Sequence, residues 1–435
     1  MSTDDREERP AILGGTPART APLPWELPGA HWIGREEIDG VVNVLTNRSP
    51  FRYYGPSLQH AVDTLEKEFA TRLGRRYALG TASGTAALSC AFVALGVGPG
   101  DEVLIPGYAW VSCLGAIVRA GAIPRLVDID DTFCVSPEDL ARKIGPRSKA
   151  LLLVHMSGAP GDLDAVTTVA RGAGLKVVED CAQANGASYK GRPVGSFGDI
   201  AIFSFQLNKN MTSGEGGMFV CDDEHLYKRA FAAHDMGYAR NAEGRLDPFD
   251  EEYQLWGMGA RMSELAGAMA LAQLRKLDQI TAAMRRAKYV IRRELEGISG
   301  IRLRRIPDPE GDSGPFLIVT LPTPELSRSF FEALLAEGIR GQEGSMACIQ
   351  MEQWGLHWHW NNRSLVERRG QDPSGRPWTD PLNAFAVDYR YGRGELPNCD
   401  DRAQRSILLT IASCLADTDV QEIIAAFRKA AQAVL

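Results

Sequence analysis

The chain has no uninterrupted apolar run of about 18 residues, so nothing in it predicts a bilayer-spanning helix. It lacks paired cysteines. Eight are scattered without a CxxC, and several, including Cys90, Cys113 and Cys414, sit inside apolar runs. That pattern argues against a secreted disulfide scaffold and predicts reduced core thiols in a cytoplasmic protein. No long basic stretch offsets the net charge of −7, which argues against a nucleic-acid surface. Arg285-Arg286 and Arg292-Arg293 fall on helical patterns and read as solvated faces. The opening MSTDDREERP is polar and acidic, unlike a signal or transit peptide. No metal is expected. His357 and His359 would share a strand face but have no further ligands at useful spacing. Internal repeats and low-complexity tracts are also missing.

What is present is an ordinary globular composition, 44% hydrophobic and 24% charged over 435 residues, enough for two domains and a large core. Residues 1–30 are rich in Pro and Gly and predict an extended arm. Leu58, Val62, Leu65, Phe69 and Leu73 space out an amphipathic helix over residues 57–73. Apolar strands then alternate with helices: YALGTA, DEVLIP, PRLVDI, KALLLVH, LKVVED and IAIFSF. Such short, nearly unbroken apolar strands imply an α/β fold with a mostly parallel sheet covered on both faces. Ser263 is a plausible N-cap for a long helix leading out of this large domain, taken as 31–285. Residues 286–435 predict a smaller α+β domain that closes on an amphipathic helix. Within it, residues 346–401 form an aromatic- and Arg-rich stretch without regular periodicity. A loop that long inside a compact domain is usually functional.

Five elements at strand ends carry possible chemistry. Ser83-Gly84-Thr85 opens a helix after a strand, where free N–H groups and hydroxyls suit a phosphate, though an ordinary N-cap looks the same. Trp110 follows a strand and a Pro-Gly turn, and could stack on a flat ring or simply belong to the core. Asp180 ends the strand KVVED, placed to hold a protonated pyridine nitrogen or to cap a helix. Gln183, three residues on, could reach a hydroxyl of the same ring. Cys181 between them reads as a small core residue. Ser204 offers a second phosphate hydroxyl. Five residues later Lys209 lies between an apolar strand and a glycine-rich turn, as a lysine that binds an aldehyde would. Phosphate grip, stacking ring, acid and amine together are what pyridoxal 5′-phosphate requires.

These motifs closely resemble the DegT/DnrJ/StrS family of sugar and cyclitol aminotransferases, from about Leu13 to the C-terminus. The likeness is densest in SGTAAL, GVGPGDEVLIP, VHMSGAPGDLDA, VEDCAQANGASYKGRPVGSFGDIAIFSF and KNMTSGEGG. The resemblance implies a fold-type I PLP-dependent transferase. Lys209 would attach the cofactor and shuttle protons, and Asp180 would face the pyridine nitrogen. Trp110 would stack, Gln183 would lie near the ring hydroxyl, and Ser83, Gly84, Thr85 and Ser204 would hold the phosphate. It also implies a homodimer with shared active sites, and pyridoxamine 5′-phosphate as the intermediate form of the cofactor. L-Glutamine or L-glutamate would be the donor.

One departure stands out. Gly259 occupies the place of a family Asn that reaches the neighbouring subunit's phosphate, while Arg261 is kept. Gln206, in the SFQ-x-x-K form, and the opening GGTPART resemble the branch acting on free cyclitols in aminoglycoside-like biosynthesis. A nucleotide-linked keto-deoxysugar aminotransferase is the alternative. An aminodehydroquinate-type dehydratase that makes an aminohydroxybenzoate is another, but SILLTIASCL stands where its His-rich motif would be. A non-catalytic sensor with the same fold is a third reading, disfavoured by the complete constellation. Gln206, His357, Trp358, Trp360, Tyr389 and Arg390 are candidates for substrate contact, with core packing or a surface lid as the competing reading for those in residues 346–401.

Overall fold

The computed structural model describes residues 8–435. Most of the acidic opening read as no signal or transit peptide, and residues 1–7 of the expected arm, therefore lie outside the described residues. Seven strands form the central sheet: β1 (Tyr77–Thr81), β2 (Glu102–Pro106), β3 (Ile123–Val127), β4 (Ser148–Val154), β5 (Lys176–Asp180), β6 (Ile200–Ser204) and β7 (Gly217–Cys221). Their order is β1-β7-β6-β5-β4-β2-β3. Strands β2 to β6 pair in parallel, and only β7 runs antiparallel to both of its neighbours. Every residue of β2, β6 and β7 is buried, as the unbroken apolar runs require. The turns that follow β1, β2, β5 and β6 share the C-terminal edge of the parallel strands, where α/β sheets leave a crevice.

The helix expected over 57–73 begins only at Ala61. His60 adopts a left-handed φ of 53° and breaks the pattern, and the buried Glu264 carboxylate accepts from the Ala61 and Val62 N–H groups at 2.7 and 3.1 Å. A remote carboxylate thus caps this helix.

The long helix Glu264–Leu295 begins as expected, with Ser263 Oγ accepting from Ala266 N at 3.2 Å. It crosses residues 285–286, where the sequence changes texture. Leu274 and Leu277 pack beneath the central sheet, whereas Met284, Ile291 and Leu295 enter a second core. That second core lies on a four-stranded antiparallel sheet of β8 (Arg302–Leu303), β9 (Phe316–Thr320), β10 (Cys348–Gln350) and β11 (Ser406–Thr410), in the order β8-β9-β11-β10. The N-terminal arm joins it through a bridge between Leu23 and Gly341.

Residues 346–401 are not an open loop. After β10 they form short helical turns that run along β3, the edge strand. Asn383 accepts from Gly100 N and donates to Gly121 O, Tyr391 donates to Pro124 O at 3.0 Å, and Asp128 accepts from Asn398 N and Cys399 N. The segment covers a sheet edge that would otherwise expose unpaired strand.

Candidate active site

A cavity of about 470 Å³ opens at the C-terminal edge of the sheet. Its walls include Ser83, Gly84, Thr85, Trp110, Asp180, Gln183, Ser204, Gln206 and Lys209, brought together from four strand ends.

The phosphate turn has the expected form. Ser83 caps its helix by accepting from Ala86 N at 3.1 Å, and neither the Gly84 nor the Thr85 N–H has a partner among the described residues. A β-carbon on Gly84 would lie 2.8 Å from Ser204 Cβ, so glycine is needed for the two strand ends to approach. Two free N–H groups at a helix N-terminus, beside two hydroxyls, fit a phosphate.

Glu179 and Asp180 face opposite sides of the sheet and do different work. Glu179 accepts from Gly195 N, Phe197 N and Gly198 N, and pairs with His155 Nε2 at 3.0 Å. Burial alone would raise its pKa, but the His155 contact and these N–H groups hold it below the usual carboxylate range. Cys181 adds a third potential metal-ligand atom within 4.8 Å, yet Glu179's oxygens are already committed to the protein. Asp180 instead opens on the cavity. One oxygen accepts from Ala182 N at 2.9 Å, and the other takes the Cys113 thiol at 3.0 Å. Burial, then the Asp180 charge, pushes that thiol well above its usual value, so Cys113 stays protonated and donates.

Lys209 sits in a tightly fastened loop. Its N–H donates to Gln206 O, its carbonyl accepts from Gly29 N of the arm, and Thr212 Oγ1 donates to Phe205 O. The Lys209 amine has no ion pair or hydrogen bond among the described residues. Burial lowers its pKa, against the charges of Asp180 and Glu215. Gln183 Oε1 accepts from Ser157 N at 2.9 Å, which leaves the amide NH2 as the donor for a ligand. Gln206 Oε1 accepts from Asn208 N and so stiffens the lysine loop as well as lining the cavity.

Of the six residues considered for substrate contact, Gln206 and His357 line the cavity, the His357 ring centroid lying 4.8 Å from that of Trp110. The other four do not. Trp358 is fully buried, stacked between Tyr108 and Trp360, with its indole N–H donating to Met351 O at 2.6 Å. Trp360 is the outer ring of that stack, under Arg393. Tyr389 donates to Glu102 Oε2 at 2.6 Å beneath Arg125, and Arg390 is exposed against neighbouring carbonyls. Trp358, Trp360 and Tyr389 brace the sheet edge, where aromatic area and hydroxyl partners hold the long segment down. Sequence reasoning missed Glu26, Phe316, Met346 and Trp354 in the wall, because they come from elements with no motif. Cys113 carried a signal, one helical turn after Trp110.

Gly259 has a φ of 66°, a backbone that Gly and Asn adopt more readily than other residues. Arg261 pairs with buried Asp235 at 2.6 Å, which also holds Arg240. Phe249 and Trp256 nearby are 88% and 97% exposed.

A mostly parallel sheet whose strand ends bring together a helix-opening turn, a carboxylate and an unpaired, half-buried lysine has the architecture of the fold-type I, pyridoxal-phosphate-dependent transferases. Residues 33–352 match the model of the DegT/DnrJ/EryC1/StrS aminotransferase family, and the chain belongs to that family. It is an aminotransferase. It is 37% identical over 306 residues to a Streptoalloteichus tenebrarius protein with the provisional name L-glutamine:3-amino-2,3-dideoxy-scyllo-inosose aminotransferase, covering 70% of each chain. It is 39% identical over 287 residues to the L-glutamine:2-deoxy-scyllo-inosose aminotransferase of the same organism, covering 63% of this chain and 65% of that one. Among solved structures, 3-amino-5-hydroxybenzoic acid synthase superposes with a TM-score of 0.76 at 27% identity, over 95% of this chain and 98% of that one.

Proposed function

We propose that the protein moves an amino group from L-glutamine to the keto group of a cyclitol, in a pathway that builds an aminocyclitol antibiotic. The observation that carries this reading is the convergence of the free Lys209 amine, the Asp180 carboxylate and the phosphate turn on one cavity, together with cyclitol-directed relatives. Pyridoxal 5′-phosphate fits that set of groups. Ser83, Gly84, Thr85 and Ser204 would hold its phosphate, Trp110 would cover its ring face, Gln183 would donate to its ring hydroxyl, and Lys209 would bind its aldehyde carbon. Bound there, the cofactor supplies an electron sink for the carbon that gains or loses the amine.

The rest is done by the chain. Asp180, oriented by Cys113 and Ala182, would face the ring nitrogen. Burial disposes Lys209 toward its neutral form, able to take and return a proton at the reacting carbon. The apolar wall of Phe316, Met346 and Trp354 limits the water that can reach it. Residues 31–285 would carry the cofactor and 286–435 would cover it. A second copy of the chain would pack on the exposed face of Ile38, Val42 and Leu45, which share one side of helix Arg35–Thr46. Eight free cysteines fit the reducing cytoplasm.

The test is direct. Protein loaded with pyridoxal 5′-phosphate should lose its visible absorption band on addition of glutamine, and α-15N-glutamine should deliver its label to 2-deoxy-scyllo-inosose. Label that never leaves glutamine with any keto-cyclitol removes the proposal. An aromatised product would favour the dehydratase alternative.

A further inference from the structure

Two wall residues from the edge-covering segment leave a polar atom over: the Trp354 indole N–H, which is buried without a partner, and Nε2 of His357. Its backbone is tied to the stacking loop, since Ala109 N donates to His357 O at 2.9 Å. Its ring lies between Trp110 and Trp354, with centroids 4.8 and 4.3 Å away. Nδ1 lies 3.1 Å from Trp354 O, an atom that can only accept. Nδ1 must therefore carry the proton, which makes Nε2 a bare acceptor. Nε2 has no hydrogen-bond partner among the described residues, and it is not among the buried atoms left without one. Burial, aided by the Lys209 charge, lowers the ring's pKa to about 4, so the neutral form holds at working pH.

The charged groups around it are mostly acidic. Among the lining residues the only cation is Lys209, while Glu26, Asp180 and Glu215 are carboxylates. Glu26 is held by Ser345 Oγ and Met346 N, and Asp180 by Cys113 and Ala182. In an aminotransferase the amino donor and the keto acceptor occupy the cavity in turn. One wall must therefore accept both ligands.

Building on the reading above, we propose that His357 Nε2 is a specificity-determining acceptor. It takes the carboxamide N–H of glutamine in one half of the cycle and a ring hydroxyl of the cyclitol in the other, and it turns away the side-chain carboxylate of glutamate. A lone pair facing a carboxylate is repelled, and no lining cation besides Lys209, which the cofactor would engage, offsets it. Amide and hydroxyl groups can both donate, so a single fixed acceptor serves both ligands. The α-carboxylate is common to glutamine and glutamate and cancels from the comparison.

The experiment measures dissociation constants by spectral titration. Glutamine and glutamate are titrated into the pyridoxal-phosphate-loaded protein, and 2-deoxy-scyllo-inosose into the pyridoxamine-phosphate-loaded protein. His357→Phe should weaken glutamine and the ketone each about tenfold or more and leave glutamate unchanged. His357→Gln, whose amide can turn either end to the ligand, should keep glutamine and gain glutamate by about tenfold. An unchanged glutamine-to-glutamate ratio in both variants overturns the inference. So does loss of cofactor binding in both, which would make the residue a packing element. A wild-type protein that responds to neither amino acid would instead sink the aminotransfer reading itself.

Discussion

Two segments bear on the cavity, and they are built in opposite ways. Residues 203–217 are short and fastened to themselves: Phe205 N donates to Gly216 O, Ser213 N donates to Phe205 O, and Thr212 Oγ1 reaches the same carbonyl. Residues 346–401 are long and fastened elsewhere. Tyr389 reaches Glu102, Tyr391 reaches Pro124, and Asn383 reaches Gly100 and Gly121. The first segment presents chemistry from a rigid local frame. The second spends most of its aromatic residues on covering a sheet edge and commits two, His357 and Trp354, to the cavity. Aromatic richness in a long segment is therefore a poor guide to substrate contact. A residue's worth to the site depends on which strand end it lies against.

That contrast can be broken at several points. The largest effect is expected for Lys209→Ala, which removes the proton carrier. Turnover should fall by about a thousandfold or more while the thermal melt stays close to wild type. Retention of a tenth of the activity would take the reaction away from this loop. Trp358→Ala, in the bracing segment, should do the reverse: about 3–5 kcal/mol of stability lost in urea unfolding, with the cofactor still bound by whatever fraction folds. Asp180→Asn should lower turnover by about a hundredfold, with the spectrum of the bound cofactor shifted and stability little changed.

Acid should also separate the segments. His357 and His234 are buried neutral, with pKa values lowered to about 4 and about 3 from an ordinary 6.5. Between about pH 6.5 and 4 the unfolded chain binds the extra protons, so stability falls as pH falls, by up to about 1.4 kcal/mol per pH unit for each histidine. His357→Phe should flatten its share of that slope in pH-dependent unfolding. The smallest effect is expected for Tyr389→Phe, about 1 kcal/mol of stability with kcat/KM unchanged. A tenfold change in kcat/KM would return Tyr389 to the site.

The local features were the legible ones. Apolar runs marked the strands, Ser263 marked its helix, and the turn after β1 announced free N–H groups. Lys209, Asp180 and Ser83-Gly84-Thr85 could be read because each stands at the end of a strand whose pattern is local. The start of the helix at Ala61 could not, since its cap is Glu264, some two hundred residues on. The same holds for Tyr389, whose partner belongs to β2, and for the arm residue Glu26, which meets Ser345 and Met346. Periodicity reports which face of an element is buried, not what lies against it.

The arm has a consequence for synthesis. Its Gly29 N–H is bound to the Lys209 carbonyl, its Glu26 holds residues 345 and 346, and the cavity wall continues to Thr410 and Ile411. Residues 26 and 28, far in sequence from 410 and 411, thus share with them the cavity that holds the lysine. A ribosome-bound chain that has finished the central sheet already carries Lys209 and Asp180, but it lacks the far wall of the pocket. On the function proposed above, the cofactor would be fully enclosed only after residues 410 and 411 have been made.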